Sequence, residues 1–397
     1  MKTLVLGASG QIGAYTVQDL VEFCKAEVIA ASRKPANVKK AMADLRLDNR
    51  VKIMELDAGN TDNVAKFVRN ERVDTVVNCA WYQTNLSVME ACLRGGAHYT
   101  DLGGLFDTTL KQLQLHEKWK DAGIKATIGL GSTPGLTNIA GAAGAAKLDK
   151  VDTINIYCSW GNTLPTKEAG WPGYSIRTVM DEFTQEPVMW LNGRHVRQPI
   201  LSGETTVTMQ DPIGKITAYY VKHSEPATMG KYIGKGCRNV TFRIGFPSTD
   251  FATFRTLKSL GFADTERIAV GDARVSPLDY LTAMYQSAVS KSRGERPPRR
   301  EYEYDAFRID VSGLRNESPT TATYYIITWN DPKRGISSAR DTAVPPSIVS
   351  QWQATGKIKD AGVFPPEAVV DPNPFFLEAG KRQIRVEEHL TETREFY

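Results

Sequence analysis

The sequence predicts an α/β protein: a Rossmann-type, doubly wound parallel sheet followed by a second α+β domain with a mixed or antiparallel sheet. Three observations support this fold class. Short apolar segments alternate with helix-compatible segments up to about residue 150. A glycine-rich turn over residues 7–13 separates the first apolar segment from the first helical one. After Gly135, β-like runs follow one another with few helical segments between them.

The first domain is predicted to alternate strands and helices from its first residues. Residues Thr3 to Leu6 form a buried strand that runs into the glycine turn, and Gln11 to Phe23 form the following helix. The later segments continue this alternation, which builds a parallel sheet. The predicted strands are Glu27 to Ala31, Val51 to Leu56, Asp74 to Ala80, Ala97 to Asp101 and Lys125 to Gly129, and the predicted helices are Asn63 to Arg69, Asn85 to Leu93 and Thr109 to Ala122.

The second domain is predicted to begin with a helix rich in Ala and Gly, Leu136 to Leu148. Its predicted strands are Thr153 to Ser159, Thr205 to Thr208, Lys215 to Val221, Asn239 to Ile244 and Thr321 to Trp329. The segments Thr163 to Pro172 and Ser292 to Arg300 combine Gly or Pro with charge and indicate loops. We expect domains over residues 1–134 and 135–344. A C-terminal segment, 345–397, with a helix over Ser347 to Thr355, is expected to return to the first domain.

Composition excludes several classes of protein. At 397 residues the chain is too long for one ordinary core. The formal net charge of +4 comes from interspersed charges, which argues against a nucleic-acid partner. No apolar run reaches transmembrane length and the chain starts with a strand, so a cytoplasmic protein is predicted. The five cysteines and five histidines are scattered, which predicts reduced thiols and no metal site.

The segment Leu4 to Gly13 is typical of a dinucleotide-binding turn. Gly7 can make the tight turn, Gly10 allows the backbone to approach a pyrophosphate, and Gly13 allows the helix to pack on the strand. Free N–H groups at the helix start would bind the phosphates. The predicted cofactor contacts in this turn are Gly7, Ser9, Gly10, Gln11, Ile12 and Gly13. The alternative is a glycine turn with a purely structural role.

The residues after the second strand predict which dinucleotide binds. An NAD-preferring protein usually places Asp or Glu there to bind the ribose 2′-hydroxyl. This chain has Ser32, Arg33 and Lys34 instead, and an Arg can pair with a 2′-phosphate. NADP is therefore predicted over NAD. The alternative is that Arg33 and Lys34 belong to a solvated loop, since Pro35 follows. Further predicted cofactor contacts at the ends of the third and fourth strands are Asp57, Ala58 and Ala80.

Several short motifs follow one another along the chain. They are Gly7 to Gly13, Asn78-Cys79-Ala80-Trp81-Tyr82, Tyr99-Thr100-Asp101-Leu102-Gly103-Gly104, Asp121-Ala122-Gly123-Ile124, Gly129 to Asn138, Thr241-Phe242-Arg243 with Gly245-Phe246, and Gly362 to Glu367. Their order resembles the saccharopine dehydrogenase family, from residue 1 to about 265 and again from about 340. The resemblance implies oxidoreduction at a C–N bond of an amino acid or amine-linked adduct with a nicotinamide cofactor. It also implies a Rossmann domain, an α+β substrate domain and a homodimer.

One departure from the family pattern bears on the small-molecule substrate. Members that bind saccharopine carry an Asn-Arg-Asp element whose Arg can clamp a substrate carboxylate. At the matching place this chain has Lys222-His223-Ser224-Glu225-Pro226. The His-x-Glu pattern is more similar to the polyamine-forming and lysine-oxidising branches. Lysine, saccharopine and a carboxylated polyamine all stay open as substrates.

Asp101, Tyr82 and His223 are the predicted catalytic residues. Asp101 follows the fifth strand, where it could hold or deprotonate a substrate amine, or instead cap the next helix. Tyr82 follows the fourth strand beside Trp81, and the two rings could wall the nicotinamide or instead pack between domains. His223 could carry a proton near neutral pH, or be a structural histidine.

Glu225, Arg243, Lys222 and Trp81 are the predicted substrate contacts. Glu225 could orient an amine beside His223. Arg243 lies inside a strand pattern, where a buried guanidinium needs a partner. That partner is either a substrate carboxylate or an internal acid. Lys222 is a similar candidate for a carboxylate.

The sequence thus predicts an NADP-dependent oxidoreductase that acts on an amino acid or opine-like amine adduct. Two alternatives stay open. One is a dinucleotide-binding protein without catalysis. The other is an extended short-chain reductase, which the glycine turn also suggests and which needs a Tyr-x-x-x-Lys pair. Tyr82 is followed four residues on by Leu86 and Tyr99 by Gly103, so neither tyrosine supplies that pair.

Overall fold

The computed structural model describes residues 1–162, 175–245, 248–292, 303–330 and 338–393. The predicted loop Thr163 to Pro172 lies outside these residues. The predicted loop Ser292 to Arg300 also does, except for Ser292, which ends a helix. The described chain forms two large sheets and one small hairpin, and the predicted fold class is confirmed.

Strands and helices alternate through the first domain. The strands are β1 Lys2–Leu6, β2 Glu27–Ser32, β3 Lys52–Glu55, β4 Thr75–Asn78, β5 His98–Asp101 and β6 Lys125–Thr127. The helices are α1 Gln11–Glu22, α2 Pro35–Asp44, α3 Thr61–Glu71, α4 Asn85–Gly95, α5 Leu105–Leu113 and α6 His116–Asp121, with a short 3₁₀ turn over Tyr82–Thr84. The strands are parallel in the order β6-β5-β4-β1-β2-β3. The order reverses between β1 and β4, which opens a ligand crevice at their carboxyl ends.

Two features of this domain differ from the sequence prediction. Pro35 begins α2, because proline is favoured in the first turn of a helix, where its missing N–H leaves no bond unmade. The single helix predicted over Thr109 to Ala122 is two helices, α5 and α6. The break between them lets Trp119 bury fully against Tyr99, with ring centroids 6.2 Å apart.

The second domain is built on a nine-stranded mixed sheet. Its strands are β7 Lys150–Asn162, β8 Val188–Leu191, β9 Arg194–Arg197, β10 Thr205–Thr208, β11 Lys215–Tyr220, β12 Asn239–Gly245, β15 Glu303–Arg315, β16 Ser318–Trp329 and β18 Arg385–Glu392; β13 Ile268–Val270 and β14 Ala273–Val275 form the separate hairpin. The helices are α7 Leu136–Ala146, α8 Ile176–Thr184, α9 Glu225–Tyr232, α10 Ser248–Ser259 and α11 Pro277–Ser292. β7 lies between β12, to which it is parallel, and β15, to which it is antiparallel.

The two faces of the mixed sheet differ, because successive side chains of a strand point to opposite sides. The inner face packs on helices and includes Phe242, Cys158 and Phe307 in one large apolar cluster. The outer face carries a smaller cluster that includes Tyr157 and Ala306. A shift of one residue in register would therefore exchange the two environments.

The C-terminal residues form α12 Ser338–Ala354, β17 Gly362–Phe364, α13 Pro366–Val369 and α14 Pro372–Lys381 before β18. α12 begins before the predicted Ser347 and continues through Pro345 and Pro346. Contacts with the first domain lie beside these two prolines: the Thr16 hydroxyl of α1 donates to the Ala343 carbonyl at 3.4 Å. β17 adds a parallel strand beside β6, and β18 pairs with β16. The segment therefore joins both sheets, and the predicted boundary at 344/345 falls inside α12.

A buried ion pair attaches this segment to α1. Nε of Arg382 donates to both carboxylate oxygens of Asp19, at 2.9 and 3.0 Å, and Nη1 donates to Glu378. The Ser347 hydroxyl donates to Asp19 at 2.5 Å. Both partners are almost completely buried, so either charge left alone would be expensive.

We expect Asp19→Ala to lower the free energy of unfolding by about 3 kcal/mol, because it leaves the buried Arg382 guanidinium with only Glu378 as an acidic partner. Urea unfolding followed by circular dichroism measures the change. Arg382→Met added to Asp19→Ala should recover part of the loss. A loss of less than about 1 kcal/mol, the range of exposed ion pairs, would contradict a stabilising role for this pair.

Candidate active site

The glycine turn brings the start of α1 against the ends of β1 and β4. Gly7 has a φ of +78°, and a Cβ there would lie 2.7 Å from the backbone of Cys79 and Ala80. A Cβ at Gly13 would lie 2.4 Å from the Gly7 carbonyl oxygen. Both positions therefore need glycine, because no side chain fits in either place. This close approach of helix and strand is what a pyrophosphate site requires.

The first turn of α1 leaves hydrogen-bond donors available. Its N-cap residue, Gly10, has no side chain to accept from the N–H groups of that turn, and the turn contains no acidic residue. Ser9 and Ile12 are partly exposed beside it. Gln11 Nε2 is buried and, within the described chain, has no hydrogen-bond partner. These donors suit the diphosphate of a dinucleotide, so the residues present fit a nicotinamide cofactor.

Arg33 and Lys34 are exposed in the short connection between β2 and α2. The Ser32 hydroxyl accepts from the Lys34 N–H at 3.2 Å and donates to the Lys34 carbonyl at 3.1 Å, which holds the connection in a tight turn. β2 lies directly beside β1. Arg33 therefore occupies the strand end at which the adenosine ribose of a bound dinucleotide is expected.

The remaining predicted cofactor residues lie at the same edge of the sheet. Asp57 and Ala58 follow β3, and Ala80 follows β4. Asp57 Oδ1 accepts from the Gly59 N–H at 3.0 Å, and the Ala80 N–H donates to Asn78 Oδ1 at 3.2 Å. The fold thus gathers these residues around one crevice, while their contact with a cofactor stays a prediction.

Trp81 and Tyr82 bridge the two domains. The Tyr82 hydroxyl donates to Asp181 of α8 at 2.7 Å. The Arg177 guanidinium, also from α8, lies 5.1 Å from the centroid of the Trp81 ring. Burial and the neighbouring Asp181 carboxylate raise the pKa of Tyr82 far above its usual value. These contacts correspond to the second interpretation of this pair, aromatic packing between domains.

Asp101 is fully buried and its oxygens are occupied. Oδ1 accepts from the N–H groups of Gly103 and Gly129, at 2.9 and 2.7 Å. Oδ2 accepts from Tyr99 Oη and Gln112 Nε2, at 2.9 and 2.5 Å. Burial raises the pKa of Asp101, and these bonds oppose that rise. Four donors use the accepting capacity of a carboxylate, which leaves no place for a substrate amine. Asp101 ties the ends of β5 and β6 together and does not cap α5, whose N-cap is Gly104.

His223 and Glu225 form a buried pair between the domains. His223 Nδ1 and Glu225 Oε2 are in direct hydrogen-bond contact, and the imidazole stacks on Phe242 of β12 with centroids 3.9 Å apart. Glu225 Oε1 accepts from the hydroxyls of Thr133 and Thr137, the latter at 2.9 Å. Those threonines belong to the segment that leaves β6 and enters α7. The pair therefore lies where the substrate domain meets the dinucleotide domain.

The protonation of this pair follows from its surroundings. Burial favours the neutral forms of both groups, but the interactions of the two charged groups outweigh burial in their combined effect on both pKa values. The Glu225 carboxylate raises the pKa of His223, with a smaller contribution from Glu182, and the imidazolium lowers the pKa of Glu225. His223 Nε2 lies 3.9 Å from Glu182 Oε1, which is too long for a hydrogen bond. Nε2 is therefore not hydrogen-bonded to Glu182, and its proton can be transferred to or from a substrate.

Lys222 is buried but already paired. Its Nζ contacts the Asp107 carboxylate of α5 and donates to Gln185 Oε1 at 2.7 Å. Asp107 lies in the dinucleotide domain and Gln185 follows α8. Lys222 therefore joins the two domains, and its charge is matched by a protein carboxylate rather than left for a substrate.

Arg243 lies apart from the His223–Glu225 pair. Phe242, the preceding residue, faces the inner side of the mixed sheet, so Arg243 faces the outer side. Its guanidinium donates to Gly203 O, Thr241 Oγ1 and Tyr220 Oη at 2.7 to 2.8 Å. Arg243 therefore lies on the opposite face of the sheet from His223, and its contact with a substrate stays a prediction. In the described part of the chain, neutral acceptors and the ring of Tyr220 satisfy the buried guanidinium, and no acid pairs with it.

Several polar residues around the pair were missed by sequence reasoning. Thr133 and Thr137 lie within the motif stretch Gly129 to Asn138, and Glu367 within Gly362 to Glu367, but no role was assigned to them. Glu367 accepts from Asn138 Nδ2 at 2.9 Å, and its burial raises its pKa to about 7. Glu182 and Asp341 lie in no motif. Only the folded chain brings Glu182 to within 3.9 Å of His223 and Asp341 to the buried region around Cys158.

The described residues contain no group of three or more His, Cys, Asp or Glu side chains that could hold a metal ion. Among the helices of this part of the chain, none is both long and apolar enough to span a membrane.

Two family models match the chain in succession. The saccharopine dehydrogenase NADP binding domain matches residues 3–127, and the saccharopine dehydrogenase C-terminal domain matches residues 131–384. Carboxyaminopropylagmatine dehydrogenase of Synechocystis sp. is 24% identical over 399 residues, covering 96% of this chain and 95% of the relative. Carboxynorspermidine synthase of Vibrio cholerae is 24% identical over 289 residues, covering 68% of each. The corresponding synthase of Vibrio alginolyticus is 22% identical over 373 residues, covering 88% and 87%.

The fold is also found in a solved structure. Apo histidine-tagged saccharopine dehydrogenase (L-Glu forming) from Saccharomyces cerevisiae superimposes with a TM-score of 0.72, covering 98% of this chain and 99% of that one. The sequences are 16% identical, so this likeness shows the architecture and nothing about the substrate.

We expect Arg33→Ala to weaken NADPH binding by about tenfold or more and to leave NADH binding nearly unchanged, because a charge-assisted bond to the 2′-phosphate is lost. Matched fluorescence titrations of the two nucleotides measure the difference. Lys39→Ala removes an exposed charge from the neighbouring helix and serves as the control. Equal weakening of both nucleotides, or no effect on either, would refute the assignment of NADP.

Proposed function

The chain belongs to the saccharopine dehydrogenase family, and from that premise we propose an NADP-dependent oxidoreductase that acts at the C–N bond of a carboxylated polyamine. Two relatives that match most of this chain bear names of that substrate class, carboxyaminopropylagmatine dehydrogenase and carboxynorspermidine synthase. An opine such as saccharopine carries further carboxylates. The two basic residues predicted to clamp one, Lys222 and Arg243, already have partners within the protein.

The observation that carries the proposal is the buried His223–Glu225 pair. It is anchored by Thr133 and Thr137 to the segment that leaves the parallel sheet. In a doubly wound sheet the nicotinamide half of the cofactor is expected over the strands beyond the reversal point, on this side of the crevice. A proton-carrying group is thereby held close to where the hydride is expected to move.

The reaction needs one hydride and one proton. Reduction of an imine adds a hydride to carbon and a proton to nitrogen, and oxidation of the amine reverses both transfers. NADP(H), when bound, supplies or accepts the hydride. In the oxidative direction His223 takes the ammonium proton of the substrate, so that a nitrogen lone pair is available for the C=N bond. In the reductive direction His223 returns the proton through Nε2.

Glu225 sets the state of that imidazole. Its carboxylate raises the pKa of His223, so the imidazolium persists toward neutral pH, where a proton carrier is most effective. Thr133 and Thr137 fix the opposite oxygen and so fix the direction of the carboxylate. The Phe242 ring stacks on one face of the imidazole and so restricts its orientation. The imidazole is thus positioned before any substrate arrives, as preorganised catalysis requires.

Tyr82 is poorly suited to replace His223 as the proton carrier. Its hydroxyl is committed to Asp181, and the raised pKa leaves it protonated across the working pH range. This observation disfavours the alternative reductase chemistry in which a tyrosine supplies the proton.

We expect His223→Asn to lower kcat for oxidation of carboxynorspermidine by NADP⁺ by about a hundredfold or more, because proton transfer loses its carrier. The increase of NADPH absorbance follows the rate. His389 is an exposed histidine on β18, so His389→Gln is the matched control and should keep full activity. Retention of activity in His223→Asn, with normal NADPH binding, would contradict the proposed role.

Glu225→Gln tests the coupling within the pair through pH dependence. The substitution removes the charge that raises the pKa of His223, so that pKa falls. Oxidation needs the unprotonated imidazole, and the rising limb of the kcat/KM profile should therefore move to lower pH. An unshifted profile would separate Glu225 from the proton transfer.

We further propose a cytoplasmic homodimer, as the family resemblance implies. The five cysteines are free, in keeping with a reducing compartment. Tyr220 and Tyr325 lie half-exposed on the outer face of the mixed sheet, and tyrosine is enriched at protein interfaces. Light scattering coupled to size exclusion should give twice the chain mass of 43.9 kDa, whereas the mass of one chain would contradict the proposal.

A further inference from the structure

Four buried carboxylates are near enough to the Cys158 thiol, on the inner face of the mixed sheet, for their charges to act on it. After burial itself, the charges of Asp305, Asp341, Glu182 and Glu225 all act to raise the pKa of that thiol. Glu182 and Glu225 are the two carboxylates that also raise the pKa of His223. Asp305 and Asp341 have no part in the proton transfer derived above, yet they lie in the same buried region.

The strand register places Asp305 relative to the proposed reaction centre. Phe307 of β15 pairs with Cys158 of β7 and shares the inner face with it. Asp305 lies two residues before Phe307 and therefore also faces inward. β7 separates β15 from β12, the strand on which the His223 ring stacks. Two strand spacings correspond to about 10 Å.

Asp341 approaches the same place from another element. It lies in the first turn of α12, which packs against the dinucleotide domain. Next to it, the Thr342 hydroxyl donates to Ser132 Oγ or accepts from it at 3.1 Å, so this end of α12 adjoins the segment that carries Thr133. Asp341 thus lies at the domain junction, over the inner face of the sheet.

The Asp341 carboxylate is fully buried and incompletely satisfied. Oδ1 accepts one long hydrogen bond from Thr342, at 3.3 Å, and the neighbouring Thr328 hydroxyl also acts to lower the pKa of the carboxyl. Oδ2 itself has no close hydrogen-bond partner in the described chain. Burial and the neighbouring Asp305 charge raise the pKa of Asp341 well above its usual value. The Arg340 charge opposes that rise, but its guanidinium donates to the Trp329 carbonyl at 3.1 Å.

A buried carboxylate beside a second one needs a proton or a cation. An alkylammonium group supplies both a positive charge and several N–H donors. We propose that Asp341, with Asp305 beside it, binds the distal ammonium or guanidinium group of the substrate. The reacting C–N bond then lies at His223, about two strand spacings away. This inference rests on the proposed function and deepens it, because it states which end of a carboxylated polyamine lies where.

The arrangement also selects against shorter or more acidic substrates. A substrate with a carboxylate at its distal end would meet two like charges in a buried setting, which is strongly unfavourable. A substrate without a distal cation would leave Oδ2 of Asp341 unpartnered. Asp341 of α12 and Asp305 of β15 thus select a substrate with a second cation. The proton carrier, His223, lies just before α9.

Paired substrates test the subsite directly. Carboxynorspermidine has a free terminal ammonium group, and its terminally N-acetylated form is nearly the same length without that charge. We expect Asp341→Asn to raise KM for carboxynorspermidine by about tenfold or more while kcat changes less than about threefold. For the acetylated compound, wild type and Asp341→Asn should have equal KM. Asp305→Asn should act in the same direction.

Asp310→Asn is the matched control, because Asp310 lies on the same strand as Asp305 and bonds to Arg308 away from the cluster. NADPH titration and thermal unfolding establish that each variant is folded. An equal change of KM for both compounds, or no change for either, would overturn the subsite.

A separate measurement distinguishes failure of the subsite from failure of the proposed function. Norspermidine is titrated into the NADPH-loaded wild type and into NADPH-loaded Asp341→Asn by calorimetry. If wild type oxidises neither compound, the proposed reaction is wrong. In that case, norspermidine binding that weakens at least tenfold in Asp341→Asn would still support the cation site. Equal binding to both proteins would overturn it.

Discussion

The salt bridge between His223 and Glu225 is the interaction on which the candidate site depends. Neither charge is stable alone in a buried position, so each requires the other. The hydroxyls of Thr133 and Thr137 satisfy the second carboxylate oxygen of Glu225 and bind the pair to the dinucleotide domain. One carboxylate therefore sets the proton affinity of the imidazole, the direction of the ring and its distance from the cofactor crevice.

The C-terminal segment holds the two domains in the arrangement that this pair requires. It adds β17 to the parallel sheet, packs α12 against α1, and then adds β18 to the mixed sheet. The buried contact between Asp19 and Arg382 attaches it to α1. Glu367 and Asp341 come from this same segment. This one segment therefore both joins the two domains and brings two buried carboxylates to the domain junction.

The two faces of the mixed sheet divide structural from chemical roles. Phe242 and Cys158 face inward, below His223 and the acidic residues, whereas Arg243 faces outward. Adjacent residues of β12 thus have unrelated environments. The charge on the inner side is mainly negative, and the basic residues Lys222 and Arg243 are satisfied elsewhere. This asymmetry supports the proposal of a cationic substrate rather than an anionic one.

By itself the sequence determined the alternation that builds the parallel sheet, the glycine turn, the pairing of His223 with Glu225 as candidates, and the family. These are local signals: periodicity, the need for glycine at Gly7 and Gly13, and two residues separated by a single residue in the chain. The tertiary structure alone decided that Asp101 is saturated with donors, that Arg243 faces away, and that Asp341 lies near Asp305. Those outcomes depend on strand register and on contacts between residues far apart in sequence, which no local pattern encodes.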